Sequence, residues 1–143
     1  MADTFSPKFG PTVALHFQAS NIDTGASGTN TFGILPGTTN TLAVMPAAGS
    51  VVALAVKANG NVTTGTAAFN VHKAGTAYSQ VSSLLTTLTT ASGSSNVGYN
   101  TVRAGVLTFV AGDQIGVNYA TATNYAATTV DFDAILYVTL NPG

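Results

Sequence analysis

Apolar and polar residues alternate most regularly over 128–140. Val130, Phe132, Ala134, Leu136, Val138 and Leu140 form one continuous apolar face, and Asp131, Asp133, Ile135, Tyr137 and Thr139 form the other. A period of two is that of a strand with one face on a core, so this stretch predicts a long strand. The segment 106–117 shows the same period on both sides of a reversal. Leu107 and Phe109 alternate with Thr108, Ala111-Gly112-Asp113 turns the chain, and Ile115, Val117 and Tyr119 alternate with Gly116, Asn118 and Ala120. Gly112 can take a positive φ, and Asp113 can bond its own backbone two residues on. Together these features predict a β-hairpin.

The rest of the chain reads as further strands between turn signals. Residues 12–18 predict a first short strand. The stretch 20–37, rich in Gly, Thr, Ser and Asn, is a long loop with a short pairing at 32–35. Residues 41–45 form a second strand closed by Pro46. Residues 50–58 are apolar on nearly both sides, which predicts a central strand, and Asn59-Gly60-Asn61 is a turn signal. Residues 65–73 alternate Ala67, Phe69 and Val71 with Ala68, Asn70 and His72, and Ala74-Gly75-Thr76 turns the chain again. In 81–90 the leucine spacing fits a helix, but four threonines favour a strand, and a strand is expected. Residues 99–110 read as one strand. About eight strands separated by turns predict an all-β fold, a single jelly-roll β-sandwich of antiparallel strands over 12–143. It is preceded by a short extended N-terminal arm over 1–11, where two Pro exclude a helix. Phe5 and Phe9 are the arm's candidate docking side chains, since exposed rings on a free tail would be unusual.

Composition narrows the partners. Charged residues make up 6% of the 143 residues, against a usual value of about 25%. The net charge of −1 gives little colloidal repulsion, so an assembly that buries much of the surface would account for the composition. Four Lys and Arg cannot form a phosphate-neutralising stripe, and nucleic acid is not an expected partner. No apolar run approaches the ~20 residues of a membrane helix, and the N-terminus lacks the charged and apolar regions of a signal peptide. No membrane partner is expected. Cys is absent, which removes disulfides and thiolate ligands.

Candidate chemistry is sparse. A nucleophile needs a base and the base an orienting partner. The two histidines, His16 and His72, each read as structural or surface residues. No Gly-x-Ser-x-Gly elbow and no phosphate cradle occur. Asp131 and Asp133 share one strand face with Cβ atoms about 7 Å apart. They could hold calcium with loop carbonyls or act as a glycosidase pair. They read more simply as solvated carboxylates, or as partners of Arg103 or Lys57 at a subunit contact. No enzyme activity, cofactor or metal is expected.

Four stretches together carry a resemblance. They are Ala48-Gly-Ser-Val-Val-Ala-Leu-Ala-Val-Lys, Gly65-Thr-Ala-Ala-Phe-Asn-Val-His-Lys-Ala-Gly-Thr, Leu107-Thr-Phe-Val-Ala-Gly-Asp-Gln-Ile-Gly-Val and Thr129-Val-Asp-Phe-Asp-Ala-Ile-Leu-Tyr-Val. This order, over roughly 46–140, resembles the jelly-roll structural proteins of tailed bacteriophages, similar in shape to the trimeric C1q and tumour-necrosis-factor fold. The resemblance implies a homotrimer with no catalytic residues to carry over. It also implies that the last strand runs near the three-fold axis, which makes Ile135 and Tyr137 candidate trimer-contact residues.

Members of the group serve as capsid decoration (cement) proteins, head fibres and tips of tail fibres. A fibre tip follows a long shaft, whereas this chain begins with a short arm. The expectation is therefore a virion protein on the capsid outer surface, bound as a trimer to the major capsid protein and stabilising the head. The alternative is a receptor- or glycan-binding head-fibre or tail-fibre protein, with Tyr78, Tyr99 or Tyr125 as sugar platforms, although Trp is absent. A bacterial surface or spore-coat C1q-like protein is a further structural option.

Overall fold

Every element among the described residues is a β-strand. The computed structural model describes residues 10–22, 29–31, 42–59, 62–73, 76–77, 86–89, 97–121, 126–127 and 130–141. In chain order the strands are β1 (Thr12–Ile22), β2 (Thr29–Thr31), β3 (Ala43–Val44), β4 (Gly49–Asn59), β5 (Val62–Thr64), β6 (Thr66–Lys73) and β7 (Thr76–Ala77). They continue with β8 (Thr86–Thr89), β9 (Val97–Thr101), β10 (Leu107–Phe109), β11 (Gln114–Thr121), β12 (Ala126–Ala127) and β13 (Val130–Leu140).

Two antiparallel layers form. In the first, the order is β1-β13-β4, with β9 and β10 in succession along the far edge of β4. In the second, β11 lies between β6 on one side and β2 and β3 on the other, and β7 and β8 pair with the outer edge of β6. The strands β5 and β12 make a separate pair. Counting β2–β3, β7–β8 and β9–β10 as one position each, eight strand positions divide equally between the layers. Successive strands change layer from β1 to β2, β3 to β4, β4 to β6, β8 to β9, β10 to β11 and β11 to β13. This is a jelly-roll sandwich, the fold class expected from the sequence.

The core lies between the layers. Phe17, Leu54, Leu107, Phe132 and Leu136 enter it from the first layer, and Phe69, Val71, Ile115, Val117 and Tyr119 from the second. Fully burying one such side chain stabilises the fold by roughly 1.5–3 kcal/mol. Phe132 packs edge-on against Phe69 with centroids 5.0 Å apart, and Tyr119 tilts against Phe132 at 5.8 Å. The even-numbered residues Val130 to Val138 of β13 are buried, as their alternation predicts. The central strand β4 lies between β13 and the β9–β10 edge, also as predicted. Gly49 begins β4 where a Cβ would meet the Thr139 carbonyl oxygen and the Phe109 ring.

Two local expectations are corrected. First, β10 and β11 do not form a hairpin. β10 pairs with β4 in one layer and β11 with β6 in the other, so residues 110–113 form an arch between the layers. Phe109 and Ile115 are both buried, so the strands face each other across the core instead of lying side by side. Gly112 does take a positive φ of 87°. The Asp113 carboxylate, however, accepts from the Val110 N–H at 2.9 Å, three residues before it. The arch is fastened to Met45, whose N–H donates to the Asp113 carbonyl and whose carbonyl accepts from Gly112 N–H, each at 2.8 Å.

Second, 99–110 is not one strand. Its two halves, β9 and β10, flank a turn at 102–106 opposite an irregularity in β4, where Thr101 pairs with Ala53 but Leu107 with Val51. Gly105 takes φ 89° there, and its N–H donates to Ser50 Oγ at 3.0 Å.

The tight antiparallel pair is instead β6–β7, with Lys73 opposite Thr76. Within 81–90, Thr86–Thr89 is a strand, and 81–85 and 90 lie outside the described residues, as does the pairing expected at 32–35. Residues 1–9 of the arm, with Phe5 and Phe9, also lie outside them.

Candidate assembly face

The outer face of the first layer is built by the residues that alternate with the core. Antiparallel register aligns them into rows across the strands. One row reads Ala14, Tyr137, Ala53 and Thr101, and the next reads His16, Ile135, Ala55 and Tyr99. A third reads Gln18, Asp133, Lys57 and Val97, and Asp131 opposite Asn59 ends the face. The middle of the face is apolar and small-residued, and the polar side chains gather at one end.

This arrangement brings together the predicted site residues Ile135 and Tyr137. They lie on the same side of β13, both half-buried, with Ala53 and Ala55 beside them on β4. The small Ala55 leaves a hollow of about 280 Å³, bordered by Ile135 and Asp133 on one side and by Val97 and Tyr99 on the other. Tyr99 stands 80% exposed and Val97 62% exposed at its rim. Sequence reading considered Tyr99 only as a sugar platform, because the hollow depends on register across three strands. Tyr78 and Tyr125, the other platforms considered, lie outside the described residues.

The polar end is organised within the chain. Asn59 Nδ2 donates to Asp133 Oδ2 at 2.6 Å, and His16 Nε2 lies 3.6 Å from Asp133 Oδ1. Lys57 is the register partner of Asp133 on β4. Asp133 thus has cross-strand partners on both sides, and Asp131 faces Asn59. Among the described residues no cluster of three or more His, Asp or Glu forms a metal site.

The second layer carries the other histidine. His72 Nδ1 lies 3.0 Å from Asn118 Nδ2, and Asn118 is buried although it alternates with core residues of β11. Burial pushes the His72 pKa below its ordinary value. His72 therefore lies in a half-buried polar cluster on the face where sequence placed it beside Asn70.

No protein-family model matches the chain, and no curated protein matches it. Among solved structures, a chain of the cyanophage Pam1 capsid asymmetric unit is similar over 99% of this chain and 93% of its own, with 17% identity and a TM-score of 0.52. A chain of the acidic stable capsid of Helicobacter pylori bacteriophage KHP30 matches over 91% of this chain and 89% of its own, with 12% identity and a TM-score of 0.47. Eiger TNF from S. frugiperda matches over 93% and 95%, with 14% identity and a TM-score of 0.39. The chain thus shares its fold with a chain from a cyanophage capsid.

Proposed function

We propose that this chain is a non-enzymatic structural protein of a tailed-phage virion, a decoration protein that sits on the capsid outer surface as a homotrimer and stabilises the head. The observation that carries this reading is the outer face of the β1-β13-β4-β9 layer. It presents Ile135, Tyr137, Ala53, Ala55 and Tyr99 in adjoining rows with little charge between them. Four strands at about 4.8 Å spacing, the longest with 11 residues, span roughly 19 by 36 Å. That is about 700 Å², close to the ~800 Å² that each partner contributes to a standard interface.

In this reading Ile135 and Tyr137 line the trimer contact, with Asp131 and Asp133 nearer its wet end. The fold shared with a cyanophage capsid chain supports a virion setting. The 6% charged composition supports a protein that spends its life in an assembly. The partner on the head is the major capsid protein, and Phe5 and Phe9 of the arm dock on it. Several weak contacts add across the three copies. On this reading the histidines have structural roles, His16 beside Asp133 and His72 beside Asn118.

Light scattering after gel filtration tests the trimer. The expected mass is about three times the 14.3 kDa of one chain, and a clean monomer at micromolar concentration rejects it. Heads assembled without the protein test the location. They should bind it at near-stoichiometric copy number and melt higher with it than without. Deleting residues 1–9 should keep the trimer and weaken that binding; unchanged occupancy would remove Phe5 and Phe9 from the docking role.

A further inference from the structure

We infer that Tyr99 is the side chain that locks one copy to the next, its ring seated in the hollow over Ala55 of a neighbouring copy. This rests on the trimer reading above and goes further by naming the knob and its hole. The hollow exists because Ala55 sits between two large register neighbours, Ile135 on β13 and Tyr99 on β9. At about 280 Å³ it is large enough that two packed faces would leave a void there. Side chains lining a void lose their contacts on that side, and a mostly apolar lining gives water few partners. A side chain from the opposing copy must fill it.

Among the described residues Tyr99 is the most exposed of the large apolar side chains, at 80%. Its ring can bury on the order of 150–250 Å². The chemistry of the rim also fits. The lining is almost wholly apolar, which suits the face of a ring, and Asp133 and Lys57 border it, where a tyrosine hydroxyl can both donate and accept. The ring would enter over Ala55 and Ile135 while its hydroxyl reaches the carboxylate or the ammonium. Tyr99 also borders the hollow of its own copy, so knob and hole adjoin on one face. In the trimer reading each ring enters the next copy's hollow, the head-to-tail geometry that closes into a ring.

The test uses the full chain. Tyr99→Cys combined with Ile135→Cys gives a background without other thiols. β9 and β13 flank β4, so within one chain the two Cα atoms lie about 10 Å apart, beyond the ~7 Å limit for a disulfide. Any bond must join two copies. Mild oxidation should give a covalent trimer on a denaturing gel, collapsed to monomer by reductant. Separately, Tyr99→Ala should weaken each contact by about 30-fold, the loss expected of an interface hot spot, and raise the concentration at which the trimer dissociates. Tyr99→Phe should keep most of the assembly.

If the wild type is a trimer but the double-cysteine variant, itself still trimeric, gives no cross-link, or if Tyr99→Ala dissociates at the wild-type concentration, the lock is overturned and the trimer stands. A covalent dimer as end product keeps the lock and overturns the three-fold arrangement. A monomeric wild-type chain removes the trimer reading and the lock with it.

Discussion

Lys73 Nζ lies 2.5 Å from Asp113 Oδ2, which ties the end of β6 to the arch between the layers. The same carboxylate oxygen accepts from the Val110 N–H. One side chain therefore holds the arch to its own backbone and to the second layer. The Lys73 ammonium, by hydrogen bond first, then the Val110 N–H and the ammonium's charge, hold the Asp113 carboxyl below its ordinary pKa, with burial opposing in part.

A depressed carboxyl pKa gives stability that is present above the unfolded value and lost as pH falls through the folded one. Asp113→Ala should lower the melting temperature at pH 7. Asp113→Asn, which keeps an acceptor for Val110, should lower it less. The wild type and Asp113→Asn should converge once the pH is well below 3.8, the carboxyl's ordinary pKa. Equal melting of all three at pH 7 would show that the arch holds without this residue.

His72 gives a second pH dependence in the same direction. Burial disfavours its charged form, so the unfolded chain takes up a proton near pH 6.5 and the folded chain resists. Stability should fall as pH drops from 7 towards 5. His72→Gln should flatten that part of the profile, read from melting temperature against pH.

Phe132→Ala should cost about 3–5 kcal/mol, the range for removing a large aromatic from a packed core. Phe132 is fully buried between Phe69 and Tyr119, so neither ring can fill the space without moving off the other. Denaturant unfolding measures the loss; a cost under ~1 kcal/mol would mean that the layers close over the gap.

If the chain trimerises through this face as proposed, Tyr137→Asp should abolish the trimer. Three carboxylates would meet in a poorly hydrated place, at a cost of several kcal/mol while they stay ionised. Gln114→Glu, exposed on the outer face of the other layer, is the control and should elute as wild type. If Tyr137→Asp gives a wild-type trimer with an unchanged melting point, this face is turned to solvent.

What was legible in the sequence followed period and burial. β13 shows a strict alternation from Val130 to Val138, and β4 its two-sided apolar run, so their roles could be read locally. The arch could not. A strand, a Gly-Asp turn and a second strand look alike whether the strands pair or separate into two layers. The outcome depends on Met45 and Lys73, distant in sequence, meeting Asp113. The assembly face was legible in half. Ile135 and Tyr137 stand out as large side chains among polar ones, but Ala55 says nothing until register sets it between Ile135 and Tyr99.

The position of β13 has a consequence for how the chain acquires its structure. It is the last strand, yet it lies between β1, the first, and β4. During synthesis β1 has no partner on that side until residue 140 has left the ribosome. The edge of β4 that pairs with β13 waits equally long. Pairings of such sequence separation close slowly, because the loop entropy is lost before the contacts form. This layer therefore closes only after β13 has been made, and the nascent chain carries an unpaired, nearly uncharged β1 through that interval. At elevated expression temperature the protein should partition into aggregates.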